Sequence, residues 1–395
     1  MSIKLLKNPD DKTIAIALGV FTLLVLGVTA PDIGLTWDEP AYIAASESYL
    51  GWFGEIFSQP QQAFSQEVID QYWAINHEHP PLDKVWSGLI WGAARLVFKD
   101  LLAHRLGNML LAAALIPLVY LFLAENYGRL AGLAGATIVL SLPRFFFHAH
   151  LAALDVPAAA VVFLVVYVFW KTKDRRDWQS TVILGLVWGL AVATKINAVF
   201  VMPVLLVWIV VFQREMRLIK RLAVASGIAF VTFFISWPWL YPQPIVRLVE
   251  YVRWITVDHW QIGQYYLGKF HMPPPWHFPF VIAFAVTPVF VLLFYFTGIT
   301  RTIRQPDQRP VGFLLLLNSL VPLLALSVGQ SMVYDNERLL MPAFVFIASL
   351  AGIGVDWAAS ELGSWLTQSG RGRLAGTAAV LLLSLIHISE PTRPY

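Results

Sequence analysis

Cysteine is absent from the 395 residues, so the chain carries no disulfide and no thiolate metal site. Charge is scarce as well. Asp, Glu, Lys and Arg make up 13% of the chain, where an ordinary soluble domain carries about one quarter. So few charges cannot coat a water-facing surface, which excludes a soluble enzyme. The basic excess is slight, 28 Lys and Arg against 25 Asp and Glu, and no nucleic-acid partner is expected. Repeats of fixed period and low-complexity tracts are lacking too. What the sequence has in quantity is apolar surface: 57% of residues are hydrophobic, the mean hydropathy is +0.63, and the apolar residues come in long blocks. The bilayer must be the solvent for most of the chain.

A crossing takes about 20 apolar residues, so the length allows about ten or eleven spans with little room for a soluble domain. The expected fold is all-α and polytopic, of about 11 spans, within a single domain over residues 1–382. Apolar runs place the spans near 13–30, 106–123, 130–142, 156–170, 181–194, 198–212, 222–240, 279–300, 311–328, 339–357 and from 374 onward. The run Val85 to Phe98 is short and contains Arg95. If it does not cross, the basic clusters at Lys4/Lys7/Lys12, Lys171/Lys173/Arg175/Arg176, Arg214/Arg217/Lys220/Arg221, Arg301/Arg304/Arg309 and Arg371/Arg373 share one side, the positive-inside pattern. It is therefore expected to lie in the outer interface of a cell (inner) membrane, with the N-terminus cytoplasmic.

Residues 31–105 then form an outer loop with juxtamembrane helices, and 241–278 a second outer loop. Within the first, Pro31 to Lys84 holds nine carboxylates and one basic residue, and eight of the nine histidines fall on the outer face. Met1 to Ala30 reads as an uncleaved first span, because no small-residue cleavage motif follows its apolar run. At the other end, residues 383–395 resemble a translated sequencing adaptor that interrupts an apolar run begun near Leu374.

Five motifs gather on the outer face. Thr36-Trp37-Asp38-Glu39-Pro40 sets two carboxylates where an amphipathic helix starts. They suit helix capping, a general base, or a divalent-cation ligand pair. His77-Glu78-His79-Pro80-Pro81-Leu82-Asp83-Lys84 puts a lysine at a helix start, a place for phosphate, and its His-x-His looks like half a zinc site. Arg144, His148, His150 and Asp155 lie together between two spans, where they need a watery cavity or each other, although Asp155 also suits a helix cap. Lys195 occupies a very short turn, where it either snorkels to headgroups or adds to an anion site. Tyr334-Asp335-Asn336-Glu337-Arg338 ends the series, with Arg338 able to pair with its acidic neighbours or to bind phosphate. The second outer loop adds Trp254, Trp260, Tyr265, Tyr266 and Trp276, suited to an interfacial belt or to sugar faces.

These motifs, with Gly189 to Lys195, resemble glycosyltransferase family 39, the protein O-mannosyltransferase-like group of the GT-C superfamily that includes lipid A aminoarabinose transferases. The resemblance runs from about Leu23 to Gly352, and His79-Pro80-Pro81-Leu82-x-Lys84 is its most specific part. It implies a polyprenyl-phosphate-linked sugar donor, Asp38 as the base or acceptor-binding carboxylate with Glu39 beside it, and Lys84 on the donor phosphate. The reading is an inverting transfer to a lipid, glycan or protein acceptor among membrane lipids. Asp38 and Glu39 are catalytic, Lys84, Arg144, Lys195 and Arg338 hold the donor phosphate, and His79, His148, His150, Asp155, Tyr334 and Asp335 hold substrate. No metal ligand set is assigned, and a divalent cation at the acid pair stands as an option. A secondary transporter or lipid flippase is the competing class.

Overall fold

The computed structural model describes residues 10–258, 262–328 and 337–368. Tyr334 and Asp335, the run from Leu374 and the tail 383–395 lie outside them. Nearly all of the described chain is helical, as its apolar blocks require of a backbone that must satisfy its own hydrogen bonds in lipid. The protein is a multi-pass membrane protein. Seven helices are long and apolar enough to cross a bilayer, or up to eight if one bent pair counts as a single span.

The first span is α1 (Asp11–Thr29), capped by Asp10, whose carboxylate accepts from the Thr13 N–H. Three helices of 20, 8 and 13 residues follow: α2 (Glu39–Ser58), α3 (Gln66–Trp73) and α4 (Leu82–Ala94). At 13 residues α4 reaches about 20 Å, too little to cross. It packs on α2 and on the start of α5 (Asp100–Tyr127), where the Trp86 indole N–H donates to Gly107 O at 2.8 Å. After α5 come α6 (Arg129–Ser141), the single turn and a half of α7 (Pro143–His148), α8 (Asp155–Thr172) and α9 (Trp178–Thr194). Helices α6 and α9 are apolar but only 13 and 17 residues long.

The remaining spans begin with α10 (Val201–Trp208), which continues from a 3-10 turn into a π-turn, and α11 (Met216–Ile235). Helix α12 (Pro244–Arg253) lies in the expected second outer loop. A hairpin follows, β1 (Gln264–Tyr266) against β2 (Lys269–His271), antiparallel with Tyr265 opposite Phe270. This small departure from an all-helical chain turns on Leu267 and Gly268, both at positive φ, as tight hairpins require. The 279–300 run is not one straight span: α13 (Phe278–Ala285) and α14 (Val289–Arg304) meet at 114°, with Pro288 at the break. Helices α15 (Arg309–Ser327) and α16 (Met341–Gln368) complete the described chain. Two short helices, one sharp bend and the run from Leu374, which lies outside the described residues, account for the difference between these seven helices and the eleven spans expected.

Helix α16 is the axis of the bundle, with 89% of its apolar window buried against 22% for the peripheral α1. Lipid supplies no hydrophobic drive between helices, so close packing of small residues has to hold them. A Cβ on Gly354 would sit 1.9 Å from Phe294 O, and one on Gly298 would sit 2.0 Å from Leu350 O, so α14 and α16 touch backbone to backbone. Gly354→Leu is expected to abolish recovery of monodisperse protein in detergent, whereas Gly27→Ala, with nothing within 4 Å, leaves the melting temperature within a few degrees of wild type.

The two ends of the bundle differ in charge. At one end Lys171 pairs with Glu125 at 2.8 Å, Arg129 with Asp11 at 2.8 Å, and Arg217 donates to Arg175 O at 3.0 Å. Arg221 and Arg301 lie at the same end. The other end collects the start of α2, the turn before α4, the loop from α7 to α8, Lys195 after α9 and Arg338 before α16.

Candidate active site

Asp155 is the centre of that second end. It is 1% exposed at the start of α8, yet its carboxylate does not cap the helix. Instead Oδ1 accepts from Lys195 Nζ at 2.7 Å, and Oδ2 accepts from Arg338 Nε at 2.6 Å. His148 Nδ1 stands 3.9 Å from Oδ2. Arg338 reaches onward through Nη1 to Asp38 and through Nη2 to the Tyr42 hydroxyl. Four elements distant in sequence thus meet on one guanidinium and one carboxylate. Asp38 stands at the N-cap position of α2 without a side-chain capping bond, so capping does not account for it.

Glu39 turns the opposite way. Arg105 holds it in a fork, Nε to Oε1 and Nη2 to Oε2, each 2.7 Å. Ala152 N–H donates to Oε1, and the Thr36 N–H and hydroxyl donate to Oε2. Burial alone would raise the pKa of this fully buried carboxyl, but the Arg105 hydrogen bonds and the two backbone N–H donors bring it below the ordinary range. Five protein donors thus fill its two oxygens, and Glu39, expected to be catalytic, ties the Trp37 turn to α5 and to the loop before α8.

Lys84, expected on the donor phosphate, is also held by protein groups. It is 1% exposed, and its ammonium donates to Asn76 O at 2.7 Å, Asn76 Oδ1 at 3.0 Å and His79 O at 2.9 Å. Three acceptors use all three N–H donors. Burial pulls its pKa down to about 7, while that acceptor set fits the charged form. Lys84 thus shapes the turn that presents His79, with its three donors facing protein acceptors. His150 is also structural: Nδ1 meets Phe146 O at 2.7 Å and Nε2 meets Thr29 Oγ1 at 2.8 Å, fixing α7 to α1. Asp155 likewise contacts cations of the protein rather than an open cavity. In the 77–79 turn the His77 ring stacks on Trp239 at 4.6 Å and its Nδ1 meets Ala74 O, while His79 lines a cavity.

Two cavities flank the cluster. The first, about 510 Å³, has a polar mouth at Glu78, His79, Lys195 and Asn197, and an apolar body walled by Val204, Tyr251, Trp254, Val321, Pro322 and Pro342. Burial, with help from Lys84, Lys195 and Arg338, keeps the His79 imidazole well below its usual pKa and so neutral. The second, about 350 Å³, is bounded by Trp37, Asp38, Arg144, Phe147, His148 and Arg338. Arg144 pairs with Glu337 at 2.7 Å there, so it faces the second cavity and is separated from Lys195. The Trp37 ring, 97% exposed, stands at this cavity's edge. The Lys195–Asp155–Arg338 bridge is shared between the two: Lys195 lines one and Arg338 the other.

With this geometry, comparison with known proteins is informative. Residues 78–241, less than half of the chain, match the family model for dolichyl-phosphate-mannose-protein mannosyltransferase. No curated protein sequence matches the chain. Among solved structures, ArnT from Cupriavidus metallidurans in the apo state superposes with a TM-score of 0.62 at 18% identity, over 97% of this chain and 67% of that one. The same protein bound to undecaprenyl phosphate gives 0.59 at 18%, over 91% and 64%. The chain has the fold of ArnT. The polytopic helical fold expected from the sequence is borne out at that level, and the chain spans about two thirds of each ArnT structure.

Three residues of this end were not singled out in the sequence. Arg105 was legible in principle, as a lone arginine at the edge of a long apolar run must find a buried anion. Asn108, with Nδ2 donating to Leu151 O and Ala153 O at 3.0 Å each, gave no such signal. Asp83 is 3% exposed, its Oδ1 is buried without a hydrogen-bond partner, and burial raises its pKa to about 7. The folded state thus holds a proton on Asp83 that the unfolded chain loses above about pH 4. Its contribution to stability is complete below that value and is lost as pH rises towards 7. Asp83→Asn is expected to melt higher than wild type at pH 8 and to show a weaker fall in melting temperature between pH 4 and 7, read by thermal unfolding in detergent.

Proposed function

We propose that the chain is a membrane glycosyltransferase that moves a sugar from a polyprenyl-phosphate donor to an acceptor at the carboxylate-rich end of the bundle. The observation that carries this is the apolar cavity whose polar mouth, at His79 and Lys195, meets the Asp155–Arg338–Asp38 cluster. A lipid tail fits the cavity body and an anionic headgroup fits its mouth. The family model and the ArnT structure with undecaprenyl phosphate support the same reading. Basic clusters at the opposite end match the positive-inside pattern, so that end is assigned to the cytoplasm and the site to the outer face of the cell membrane.

In the proposed reaction the acceptor hydroxyl oxygen attacks C1 of the sugar from the second cavity. The C1–O bond to phosphate breaks with its electron pair leaving on the phosphate oxygen, and the hydroxyl proton passes to Asp38. Asp38 keeps a side chain one-third exposed for this task, at 33%. Attack from the face opposite the phosphate inverts the anomeric centre. The leaving phosphate is stabilised by Lys195 and Arg338, with His79 as a neutral donor. Arg144, His148 and Trp37 belong to the acceptor side. Tyr334 and Asp335, adjacent in sequence to Glu337 and Arg338, are retained as substrate-binding candidates.

Release of polyprenyl phosphate from a labelled donor, by purified protein in detergent and without any ion gradient, tests the class. A transporter or flippase would give none. Asp38→Asn is expected to lower turnover about 100-fold or more while leaving the melting temperature near that of wild type; unchanged turnover would remove Asp38 from the mechanism. Lys195→Ala is expected to weaken donor use and also to lower the melting temperature, because it takes one of two cations from the buried Asp155. By contrast Lys84→Met leaves buried carbonyl acceptors unsatisfied and is expected to cost a few kcal/mol of stability, at about 1–3 per group, which a melting curve reads.

A further inference from the structure

A second polar cluster lies away from both cavities, where α2 crosses the start of α5. Glu47 comes from α2, and Asp100 and His104 from the first turns of α5. The three offer one ligand atom each, all within 4.8 Å of one another. We propose that they form a divalent-cation site, of the class that suits Zn2+, with the remaining coordination positions left to water.

Four observations support it. His104 Nε2 stands 3.1 Å from Glu47 Oε1 and 3.8 Å from Asp100 Oδ1. Ligand atoms about 2.1 Å from a tetrahedral ion are about 3.4 Å apart, so the spacing already suits an ion at their centre. The imidazole is held in place: only 1% of its side chain is exposed, and the Trp91 ring stacks on it at 4.7 Å and 12°. The Trp91 indole N–H also donates to Asp100 Oδ1 at 2.9 Å, so one residue orients two of the three ligands. Lastly, two carboxylates converge here, and among the described residues neither has a Lys or Arg partner within ion-pair distance. One imidazole with two carboxylates favours Zn2+ or a neighbouring first-row ion over Mg2+, which prefers oxygen alone.

The placement suggests what the ion does. His104 adjoins Arg105, which grips Glu39 two helical turns before Glu47 on α2. An ion would therefore be a second tether between the same two helices, fixing the juxtamembrane helix against the span beneath it. This is independent of the reaction proposed above.

The test uses the full chain in detergent, stripped with EDTA and titrated with ZnCl2, with metal content read by mass spectrometry and affinity by calorimetry. The expected result is one equivalent of Zn2+ per chain and a melting temperature that rises with free Zn2+. Glu47→Gln and Asp100→Asn, at partly exposed positions, should fold as the metal-free wild type does and bind at least tenfold more weakly. His104→Gln should lose binding, and if it fails to fold, the two carboxylate variants decide. A His77→Gln control should bind as wild type. No uptake by the stripped wild type at Zn2+ up to about 0.1 mM, or Glu47→Gln binding as tightly as wild type, would overturn the proposal.

Discussion

The carboxylate of Asp155 is buried between spans and divided between two cations, Lys195 on one oxygen and Arg338 on the other. A charge in that position is tolerable only while it is paired, and removing one partner strands the rest, at a cost of about 3–5 kcal/mol for a typical buried pair. The cluster is therefore a unit. Its geometry decides where Arg338 points, and through Arg338 it decides where Asp38 stands. Two cavities of different character open on either side of a partition that is itself made of reactive groups.

Around this unit the structure separates residues that support from residues that face open space. Glu39 with Arg105, Lys84 with the turn at Asn76, and His150 between α7 and α1 all have their polar atoms committed to protein partners. His79, Lys195, Asp38 and Arg144 line cavities. Rigid support of this kind suits transfer chemistry, where a displacement of about 1 Å costs roughly 100-fold in rate. The small-residue seam between α14 and α16 serves the same end at larger scale, since backbones in direct contact leave little freedom to slide.

How much of this was legible in the sequence depends on the range of each interaction. Apolar blocks mark helices because lipid imposes a local rule on every stretch, and most of the expected spans coincide with helices. The bend at Pro288 was missed because an apolar run reads the same whether straight or broken. That Asp38, Arg144, Lys195 and Arg338 gather at one end followed from alternating crossings and charge. Which of them touch did not, because Asp38 and Arg338 are brought together only by the packing of α2, α8 and α16. The direction in which Lys84 points was hidden for a related reason. A lysine after two prolines looks alike pointing inward or outward, and the direction is set by Asn76, whose positive φ turns its carbonyl towards the ammonium. Asp38 and Glu39 show the limit most clearly: adjacent in sequence, they point into different environments, one towards a cavity and one towards α5.

The first cavity has a further consequence for the ligand. Its volume of about 510 Å³ is that of a pocket for a drug-sized molecule, so of the donor proposed above it would enclose only the first few isoprene units beside the headgroup. On that proposal the rest of the chain would lie among membrane lipids, where added carbons find the same surroundings in or out of the complex. Recognition would then be concentrated near the phosphate, and carrier length would matter little.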